Sequence, residues 1–407
     1  MLGWVIMVKR EIYMNKISKL FDNELIKVIT GVRRCGKSYM LKLIEEELIK
    51  RGIDKDNIIL INFDNPAFNT VDNTRELDLL VEDLVKNING KIYLFFDEIQ
   101  NVDMWEKSIT GYKVIYDCDI FITGSNSKLL SGELATHLTG RYIEIKMKPF
   151  SFNEYLEYKK ENNILDASFD EYLKYGGMPI VLSLDEDYKL EYLNDLFNSI
   201  FTKDIVNRYN IRDFGLLIRL VNFILDNVGK TFSAKNIIDY LNSLNIKISR
   251  KTIYNYLMYL QEACFIYKVP RMNLEGKKIL KLEEKYYIVD HGFCQALVGR
   301  NKANISRILE NIVFVELLRR NWDVKIGKIG NLEVDFACQK FNKTVYIQVT
   351  YSLGNENSYD REFKPLLEIN DNFPKYIISY NDNVDFSRDG IIHFNLVDFL
   401  RDYTLIE

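Results

Sequence analysis

The sequence predicts an α/β fold built around a parallel sheet, and three observations lead to this prediction. The first is a glycine-rich segment, residues 31–38, that lies between an apolar run and a helical run. The second is an unbroken apolar run, residues 92–96, which ends in two acidic residues. The third is another candidate strand, residues 119–123, whose centre is the apolar run 120–122 and which opens into a Gly-Ser-Asn-Ser turn. Unbroken apolar runs are typical of strands in parallel sheets, because both faces of such a sheet are buried.

The glycine-rich segment, GVRRCGKS, has the G-x-x-x-x-G-K-S spacing of a phosphate-binding P-loop. Residues 25–29 form the expected strand before it and residues 39–44 the expected helix after it, which is the context that this motif requires. Glycines let the main chain curve so that its N–H groups point at phosphate oxygens. The helix adds the positive end of its dipole. The residues expected to bind a nucleotide are Gly31, Val32, Arg33, Arg34, Cys35, Gly36, Lys37, Ser38 and Tyr39.

We expect a specific role in binding phosphate, Mg²⁺ or water for each of four residues, two in the P-loop and two in the acidic pair. Lys37 should reach the β and γ phosphates, and Ser38 should place its hydroxyl on Mg²⁺. Open α/β sheets bind ligands at the carboxyl ends of their strands, so Asp97 and Glu98 should lie beside the loop. We expect Asp97 to hold the Mg²⁺ shell and Glu98 to orient and polarise the attacking water.

Three further residues are candidates for catalysis. Ser125 and Asn126 follow the third apolar run, and either side chain is suited to touch the γ-phosphate or the attacking water. Arg141 lies in an LTGRY segment just before a strand-like run. A guanidinium stabilises charge on a transferring phosphoryl group, so Arg141 is a candidate to act in trans on the nucleotide of a neighbouring subunit. A surface arginine in a local ion pair is the alternative.

Five segments in this order, GVRRCGKS, FFDEIQNV, ITGSNSKLLS, LTGRYIEI and PFSFNEYL, resemble the AAA-type P-loop ATPases of archaea and bacteria. Within that group the chain is similar to a family whose C-terminal half ends in a nuclease-like domain. The family also has a GG-x-P turn, found here at residues 176–179. The resemblance implies these roles: Walker A for Lys37 and Ser38, Walker B for Asp97 and Glu98, sensor 1 for Ser125 or Asn126, and an arginine finger for Arg141.

A chain of 407 residues is too long for one hydrophobic core, so several domains are expected. Ser151, with Glu154 three residues later, has the pattern of a capping box and marks the start of a helical region. The expected domains are an AAA-type P-loop ATPase core at 1–148, a helical lid at 149–228, a winged helix at 229–299 and an α/β nuclease-like domain at 300–407.

The expected winged helix is indicated by the order helix, turn, helix and hairpin. In such folds the second helix enters the DNA major groove with its N-terminal residues. Ser249 should cap this helix, and the residues that would face DNA are Arg250, Lys251, Thr252, Tyr254 and Asn255. The alternative is a winged helix that packs against protein. The net charge of −4 does not by itself indicate nucleic-acid binding.

The last hundred residues resemble the core of PD-(D/E)xK nucleases. Asp335 matches the first acidic residue of that core, and Glu310 is a candidate for its helix acid. The E-x-K position reads Gln348-Val349-Thr350. Glutamine is a weaker ligand for a hard divalent cation than carboxylate, and threonine cannot supply the positive charge of lysine. We therefore expect a retained binding or assembly domain, with active nuclease as the alternative.

The composition of the chain indicates its class of protein and its cellular location. Its hydrophobic content of 47% and charged content of 28% are ordinary for a globular protein. The five cysteines are scattered, which fits neither a disulfide framework nor a zinc site and favours a reduced, cytoplasmic location. The apolar start, residues 1–8, is too short to cross a membrane and lacks the features of a signal peptide.

Two functional classes follow from these observations. The first is an ATP-binding and ATP-hydrolysing motor or switch that acts on double-stranded DNA. The second is a signalling or assembly ATPase whose C-terminal half binds protein. A small-molecule kinase is a weaker third class, because the long C-terminal half and the acidic pair argue against it. No guanine-reading N-K-x-D motif follows the core, which favours ATP over GTP. The expected partners are ATP, Mg²⁺, DNA and a second copy of the chain through Arg141, with no membrane.

Overall fold

The computed structural model describes residues 8–126, 140–232, 234–243, 246–276, 278–299, 305–354, 356–382 and 387–406. Residues 1–7 and the first two residues of the LTGRY segment lie outside this described part. The chain divides into two compact units between Pro149 and Phe150, and the segment Glu262–Cys264 groups with the first unit. Within the described ranges, we find no helix with the length and apolar character needed to cross a membrane.

The first unit contains a five-stranded sheet in which every neighbouring pair of strands is parallel. This arrangement confirms the predicted parallel α/β fold. The strands are β1 Ile26–Thr30, β2 Ile58–Asn62, β3 Ile92–Asp97, β4 Cys118–Gly124 and β5 Tyr142–Lys146. The helices are α1 Glu11–Ile17, α2 Lys37–Lys50, α3 Thr74–Val85 and α4 Trp105–Ile115.

The spatial order of the strands is β2-β3-β4-β1-β5. All residues of β1, β3 and β4 are buried, as their apolar runs predict. The rings of Phe95 and Phe121 stack across β3 and β4 with centroids 4.8 Å apart. Because β4 lies between β1 and β3, the strand before the P-loop and the strand with the acidic pair are separated by about 10 Å.

The P-loop connects β1 to α2, as the motif predicts. At Gly31 the φ angle is 153°, and a Cβ atom there would lie 2.5 Å from the carbonyl oxygen of Met147. Gly36, with φ 105°, comes just before the first helical residue. Both glycines are therefore required by the path of the main chain, independently of any ligand.

The second unit begins with helices. Ser151 accepts a hydrogen bond from the main chain of Glu154, and the Glu154 side chain accepts one from Ser151, which confirms the predicted capping box. A π-helical stretch, Ile200–Val206, continues the third helix. The longer helices up to this unit's first strand are α5 Phe152–Glu161, α6 Phe169–Tyr175, α7 Glu186–Ser199 and α8 Phe214–Asp226, and a three-residue helix, Asn207–Tyr209, follows the π-helical stretch.

The Gly176-Gly177 pair packs against a buried carboxylate. The main-chain N–H of Gly177 donates to Asp290 Oδ2 at 2.8 Å, and a Cβ atom at Gly176 would collide with Asp290 Oδ1. The imidazole of His291 lies 2.7 Å from the carbonyl oxygen of Tyr172, through Nε2. The glycine pair therefore joins the helices at the start of the second unit to its middle.

One nine-stranded sheet runs through the rest of the second unit, in the order β13-β14-β12-β11-β10-β9-β7-β8-β6. Its strands are β6 Thr231–Phe232, β7 Ile266–Asn273, β8 Lys278–Ile288, β9 Asp323–Ile329, β10 Leu332–Lys340, β11 Lys343–Thr350, β12 Lys375–Ser379, β13 Ser387–Arg388 and β14 Ile391–Asn395. Its helices are α9 Ala234–Ser243, α10 Arg250–Glu262, α11 Gly292–Leu297, α12 Ile305–Arg319, α13 Glu356–Leu367 and α14 Leu396–Arg401.

The hairpin β7–β8 belongs to the segment expected to be a winged helix, whereas β9 belongs to the segment expected to be nuclease-like. The two are joined by parallel pairing of residues 271–273 with residues 326–328. This pairing differs from the expected arrangement of two separate domains meeting near residue 299. The pairing was not predictable from either segment alone, because it depends on contacts between strands that are distant along the chain.

Candidate functional site

Lys37 lies in the P-loop with its side chain turned inward. Its ammonium donates to the carbonyl oxygens of Gly31, at 3.1 Å, and Val32, at 3.3 Å. The same Nζ lies 3.6 Å from Oε1 of Glu98. The side chain is 4% exposed, so this charge is held in a poorly hydrated site where its attraction to anions is strong.

Asp97 ends β3 and is held on both carboxylate oxygens. Oδ1 accepts from the Thr123 hydroxyl, and Oδ2 accepts from Asn62 Nδ2 at 3.0 Å. The Ser38 hydroxyl is also hydrogen-bonded to this carboxylate. Burial raises the pKa of Asp97, although the hydrogen bonds from Thr123 and Ser38 oppose that shift. The carboxylate predicted from β3 and the hydroxyl predicted from the P-loop thus meet directly.

Glu98 follows Asp97 with a left-handed main chain, at φ 55°. This conformation is uncommon for residues other than glycine and turns the side chain of Glu98 toward Lys37. Its N–H donates to Thr123 Oγ1 at 3.0 Å, and its carboxylate accepts from Gln100 Nε2. Burial alone would raise the pKa of Glu98, but Lys37 and hydrogen bonds from Gln100 and Ser125 hold it below its usual value.

The donors at this site suit a magnesium ion. The hydroxyl of Ser38 and the carboxylate of Asp97 are hard oxygen ligands, which Mg²⁺ prefers. Among the described residues, no group of three or more His, Cys, Asp or Glu side chains is arranged to hold a metal ion.

The two candidates after β4 are both buried, Ser125 at 1% and Asn126 at 0% exposure. Ser125 is hydrogen-bonded to Glu98. The pairing of β4 with β3 explains this contact, because parallel neighbours bring their carboxyl ends to one edge of the sheet. The structure therefore places Ser125 at the acidic pair, and its role in catalysis stays a prediction.

The other predicted nucleotide-binding residues differ in exposure. Val32 and Cys35 are fully buried, and burial raises the pKa of the Cys35 thiol, which agrees with a bystander rather than a nucleophile. Arg34 is exposed at a left-handed position, with φ 66°. Arg33 is half-buried, and its charge helps to lower the pKa of Glu98. Tyr39 is 51% exposed, on the first turn of α2.

Arg141 does not join this site in its own chain. It is exposed and lies just before β5, where Ile26 N donates to its carbonyl oxygen. Ile26 pairs with Tyr142 and Thr30 with Lys146, so Arg141 is at the amino end of the strands. The P-loop follows Thr30 at the carboxyl end. A role for Arg141 in trans remains compatible with this position.

The candidate DNA-facing residues begin α10. Ser249 Oγ accepts from Thr252 N at 3.1 Å, as expected for the cap of this helix. Arg250, Lys251 and Tyr254 are exposed, whereas Thr252 and Asn255 are half-buried. The structure thus presents two basic side chains and one aromatic ring on the open face of the first turns of α10.

At the position of a nuclease centre, the predicted acids have protein partners. Glu310 on α12 accepts from Lys285 Nζ at 2.9 Å and from the Tyr287 hydroxyl. Asp335 Oδ2 accepts from Val349 N at 2.9 Å. Burial and the charge of Glu310 raise the pKa of Asp335 well above its usual value, although Lys285 opposes the shift.

Both the oxygen and the nitrogen of the Gln348 side-chain amide form hydrogen bonds. Oε1 accepts from Asp335 N at 2.6 Å, and Nε2 donates to Glu362 Oε2 at 3.0 Å. Thr350 is also hydrogen-bonded to the Glu362 side chain. At the position where the nuclease core has a glutamate, the amide of Gln348 thus bridges a main-chain N–H and a carboxylate.

Sequence patterns missed four residues of the first site. Thr123 bridges the two acidic residues, Asn62 holds Asp97, Gln100 holds Glu98, and Arg10 contacts the P-loop from the N-terminal segment. Asn62 ends β2 and Thr123 is the second-last residue of β4, and both strands neighbour β3. This strand order was the signal that the linear motif did not contain.

Comparison with known proteins supports the identity of this site. A family described as "AAA domain" matches residues 23–156, and a second family, described as a domain of unknown function, matches residues 166–304. A solved DnaA from Aquifex aeolicus bound to AMPPCP gives a TM-score of 0.34 at 14% identity, covering 64% of this chain and 90% of that chain. The structure of Aeropyrum pernix ORC1 in complex with DNA gives a TM-score of 0.32 at 12% identity, covering 77% of this chain and 95% of that chain.

Two curated relatives match along most of their length. An uncharacterized protein of Haemophilus influenzae is 38% identical over 397 residues, which is 97% of this chain and 98% of the relative. The uncharacterized protein MJ1544 of Methanocaldococcus jannaschii is 38% identical over 392 residues, covering 89% of this chain and 84% of the relative. The chain therefore belongs to the same protein family as these relatives, and its N-terminal region is an AAA-type P-loop ATPase domain.

Proposed function

We propose that this protein hydrolyses ATP with Mg²⁺ and uses its nucleotide state to control binding of DNA by its C-terminal half. The observation that carries the first part is the meeting of Ser38 and Asp97, with Glu98 one residue further on. A P-loop, a hydroxyl for the metal and a second carboxylate for water are the parts that phosphoryl transfer to water requires.

The chain's own residues divide the reaction between them. Lys37 binds the β and γ phosphates once it leaves Glu98 and the loop carbonyls. Glu98, freed from Lys37, accepts a proton from the attacking water through its carboxylate. Thr123 holds Asp97 and Glu98 in fixed relation, because its hydroxyl donates to one and accepts from the other. A bound Mg²⁺ would neutralise charge on the phosphates while Ser38 and Asp97 hold it.

A nucleotide-binding experiment tests the first part. Lys37→Ala removes the cation that meets the phosphates, so its affinity for a fluorescent ATP analogue should fall strongly. The control, Lys50→Ala, removes an exposed lysine from the C-terminal end of the same helix and should bind the analogue as the parent does. Retained affinity in Lys37→Ala would refute the nucleotide site.

For the second part, α9, α10 and the β7–β8 hairpin have the order of a winged helix. Arg250 and Lys251 on the open face of α10 are suited to phosphate and base contacts at the N-terminal end of a recognition helix. Replacing Lys251 with Gln should weaken binding of double-stranded DNA at low salt. Each lost phosphate contact also reduces the dependence of binding on salt.

A matched control is Lys160→Gln, which removes the same charge from an exposed position on α5. Fluorescence anisotropy with a labelled duplex at several salt concentrations measures both variants. Equal affinities and salt slopes for Lys251→Gln and Lys160→Gln would contradict a DNA contact by α10.

Two observations favour the alternative, a protein partner. The hairpin that would form the wing is joined to β9 in the nine-stranded sheet, which limits how it could lie along DNA. Tyr254 and Met258, one turn apart on α10, are 50% and 43% exposed. ATP turnover that duplex DNA does not stimulate would favour an assembly ATPase with this face of α10 against protein.

For the C-terminal region we propose binding or assembly rather than nucleic-acid cleavage. Gln348 donates a hydrogen bond to Glu362, and Lys285 forms an ion pair with Glu310, so two of the acidic side chains have protein partners. Incubation of the full chain with plasmid DNA and Mg²⁺ should leave the plasmid intact. Cleavage that disappears in Asp335→Asn would contradict this proposal.

A further inference from the structure

Arg10 lies against the P-loop although it belongs to the N-terminal segment. Its Nη1 donates to the carbonyl oxygen of Cys35 at 3.1 Å, and its Nη2 donates to the carbonyl oxygen of Lys148 at 2.7 Å. The guanidinium carbon is 4.9 Å from the centre of the Tyr13 ring. The residue is 3% exposed, so these contacts are made with little competition from water.

The hydrogen bond from Arg10 to Cys35 satisfies a main-chain carbonyl group that the shape of the P-loop turns outward. A loop that turns its N–H groups inward leaves carbonyl groups facing outward, and a buried carbonyl requires a donor. The guanidinium is a planar fork whose donors have fixed spacing, and it remains charged at all physiological pH values. Arg10 can therefore hold two carbonyl groups at a set separation, which a single flexible ammonium cannot do.

The second carbonyl belongs to the segment after β5, which is itself tied to the loop. Met147 N donates to the carbonyl oxygen of Thr30 at 2.7 Å, just before the P-loop begins. Lys148 N donates to the Tyr13 hydroxyl at 3.1 Å. Arg10 and Tyr13 thus hold the end of β5 from one side, while β1 holds it from the other.

The charge of Arg10 also reaches the loop. A Cβ atom on Gly36 would lie 3.5 Å from Nη1 of Arg10, so the guanidinium is close behind the residue that precedes Lys37. In agreement, the charge of Arg10 opposes the rise in pKa that burial causes at Cys35. A triphosphate on the inner side of the loop would be attracted by a charge that bulk water screens poorly.

We infer that Arg10 is a positioning residue for nucleotide binding, which holds the Cys35 carbonyl outward and so keeps the loop's N–H groups directed at phosphate. The inference rests on the proposed binding of ATP and adds the N-terminal segment to that site. The two hydrogen bonds of Arg10 described above go to main-chain carbonyl groups, those of Cys35 and Lys148. Its loss should therefore weaken ATP binding much more than it slows turnover at saturating ATP.

The test compares Arg10→Met, Arg10→Lys and Lys16→Met in the full chain. Methionine keeps much of the apolar stem, lysine keeps the charge without the fork, and Lys16 is an exposed cation on α1. Kd for a fluorescent ATP analogue, kcat and KM are measured below the melting temperature of each variant. We expect Kd to rise about tenfold or more in Arg10→Met, to rise less in Arg10→Lys, and to stay at the parent value in Lys16→Met.

The outcomes separate the inference from the proposed function. If the parent chain does not bind the analogue, the proposed nucleotide site itself fails. If the parent binds but Arg10→Met binds equally well, the inference about Arg10 alone is overturned. A fall in kcat with unchanged Kd would also overturn it, because that result would place Arg10 in the chemical step. A Kd for Arg10→Lys between those of the parent and Arg10→Met would support a role for the positive charge. A merely structural effect of losing arginine would not give this result.

Discussion

The ammonium of Lys37 lies 3.6 Å from the carboxylate of Glu98, with Nζ facing Oε1. In the proposed reaction these two groups act on different partners, Lys37 on phosphate and Glu98 on water. For both groups to act in this way, their ion pair has to open when ATP binds. Phosphate binding by Lys37 and the release of Glu98 therefore occur together, because both require the loss of the ion pair between these two residues.

Thr123→Val should slow ATP turnover with little change in ATP affinity. The hydroxyl holds Asp97 and accepts from Glu98 N, so valine keeps the volume and removes both contacts. Loss of a residue that orients a metal ligand typically lowers activity about 10–100-fold, and we expect kcat to fall within that range. Steady-state turnover and analogue binding measure the two effects.

Thr110→Val is the matched control for that substitution. Its hydroxyl donates to the carbonyl oxygen of Glu106 within α4, away from the acidic pair. If Thr123→Val turns over ATP as fast as Thr110→Val, Thr123 does not position the carboxylates.

Arg141→Ala should lower turnover only where subunits associate. Arg141 is at the amino end of the sheet, away from its own P-loop, so any contribution to catalysis must come from a neighbouring chain. Arginine fingers in other P-loop enzymes change kcat by roughly 10³-fold or more. Turnover per subunit should therefore rise with protein concentration in the parent and stay low in Arg141→Ala.

Mixing two inactive variants provides a stricter test. Lys37→Ala retains Arg141, and Arg141→Ala retains its P-loop, so a mixture should hydrolyse ATP faster than the sum of its parts. A mixture that shows only the summed activities would contradict action in trans.

The helical start of the second unit, the parallel sheet and the position of the P-loop between a strand and a helix could be predicted from sequence because each depends on local patterns. The P-loop needs only the spacing from Gly31 to Ser38, and the capping box needs only Ser151 and Glu154. Thr123 and Arg10 could not be assigned in this way. Their partners are fixed by strand order and by packing of the N-terminal segment, which no local pattern encodes.

Asp335→Asn should raise the melting temperature most at high pH. The raised pKa of Asp335 means that the folded chain binds a proton there more tightly than the unfolded chain does. Ionisation therefore opposes folding above the unfolded pKa of about 3.9, and this cost disappears as the pH falls toward that value. Asparagine removes the charge and can still accept from Val349 N.

Thermal melts at pH 8 and pH 4, with exposed Asp323→Asn as control, measure this effect. A melting temperature of Asp335→Asn below the parent at pH 8 would show that the ionised carboxyl stabilises the fold instead.

Gln348→Glu should destabilise the second unit. Glutamate cannot donate to Glu362, and it places a third carboxylate beside Asp335 and Glu362. A buried group that loses its partner costs about 1–3 kcal/mol, and more when it is charged, so we expect a loss of about 2–3 kcal/mol. Urea unfolding measures the loss against Gln339→Glu, an exposed position on β10. Equal stability of the two variants would mean that the amide bridge is dispensable.

The most direct test of the central claim is ATP turnover and ATP binding by Glu98→Gln, beside the exposed control Glu82→Gln. Glutamine cannot accept the proton of the attacking water, and removal of a general base typically costs about 10²–10⁴ in rate. We predict that Glu98→Gln binds ATP at least as tightly as the parent and hydrolyses it at least about 100-fold more slowly. Hydrolysis by Glu98→Gln at the parent rate would contradict the account.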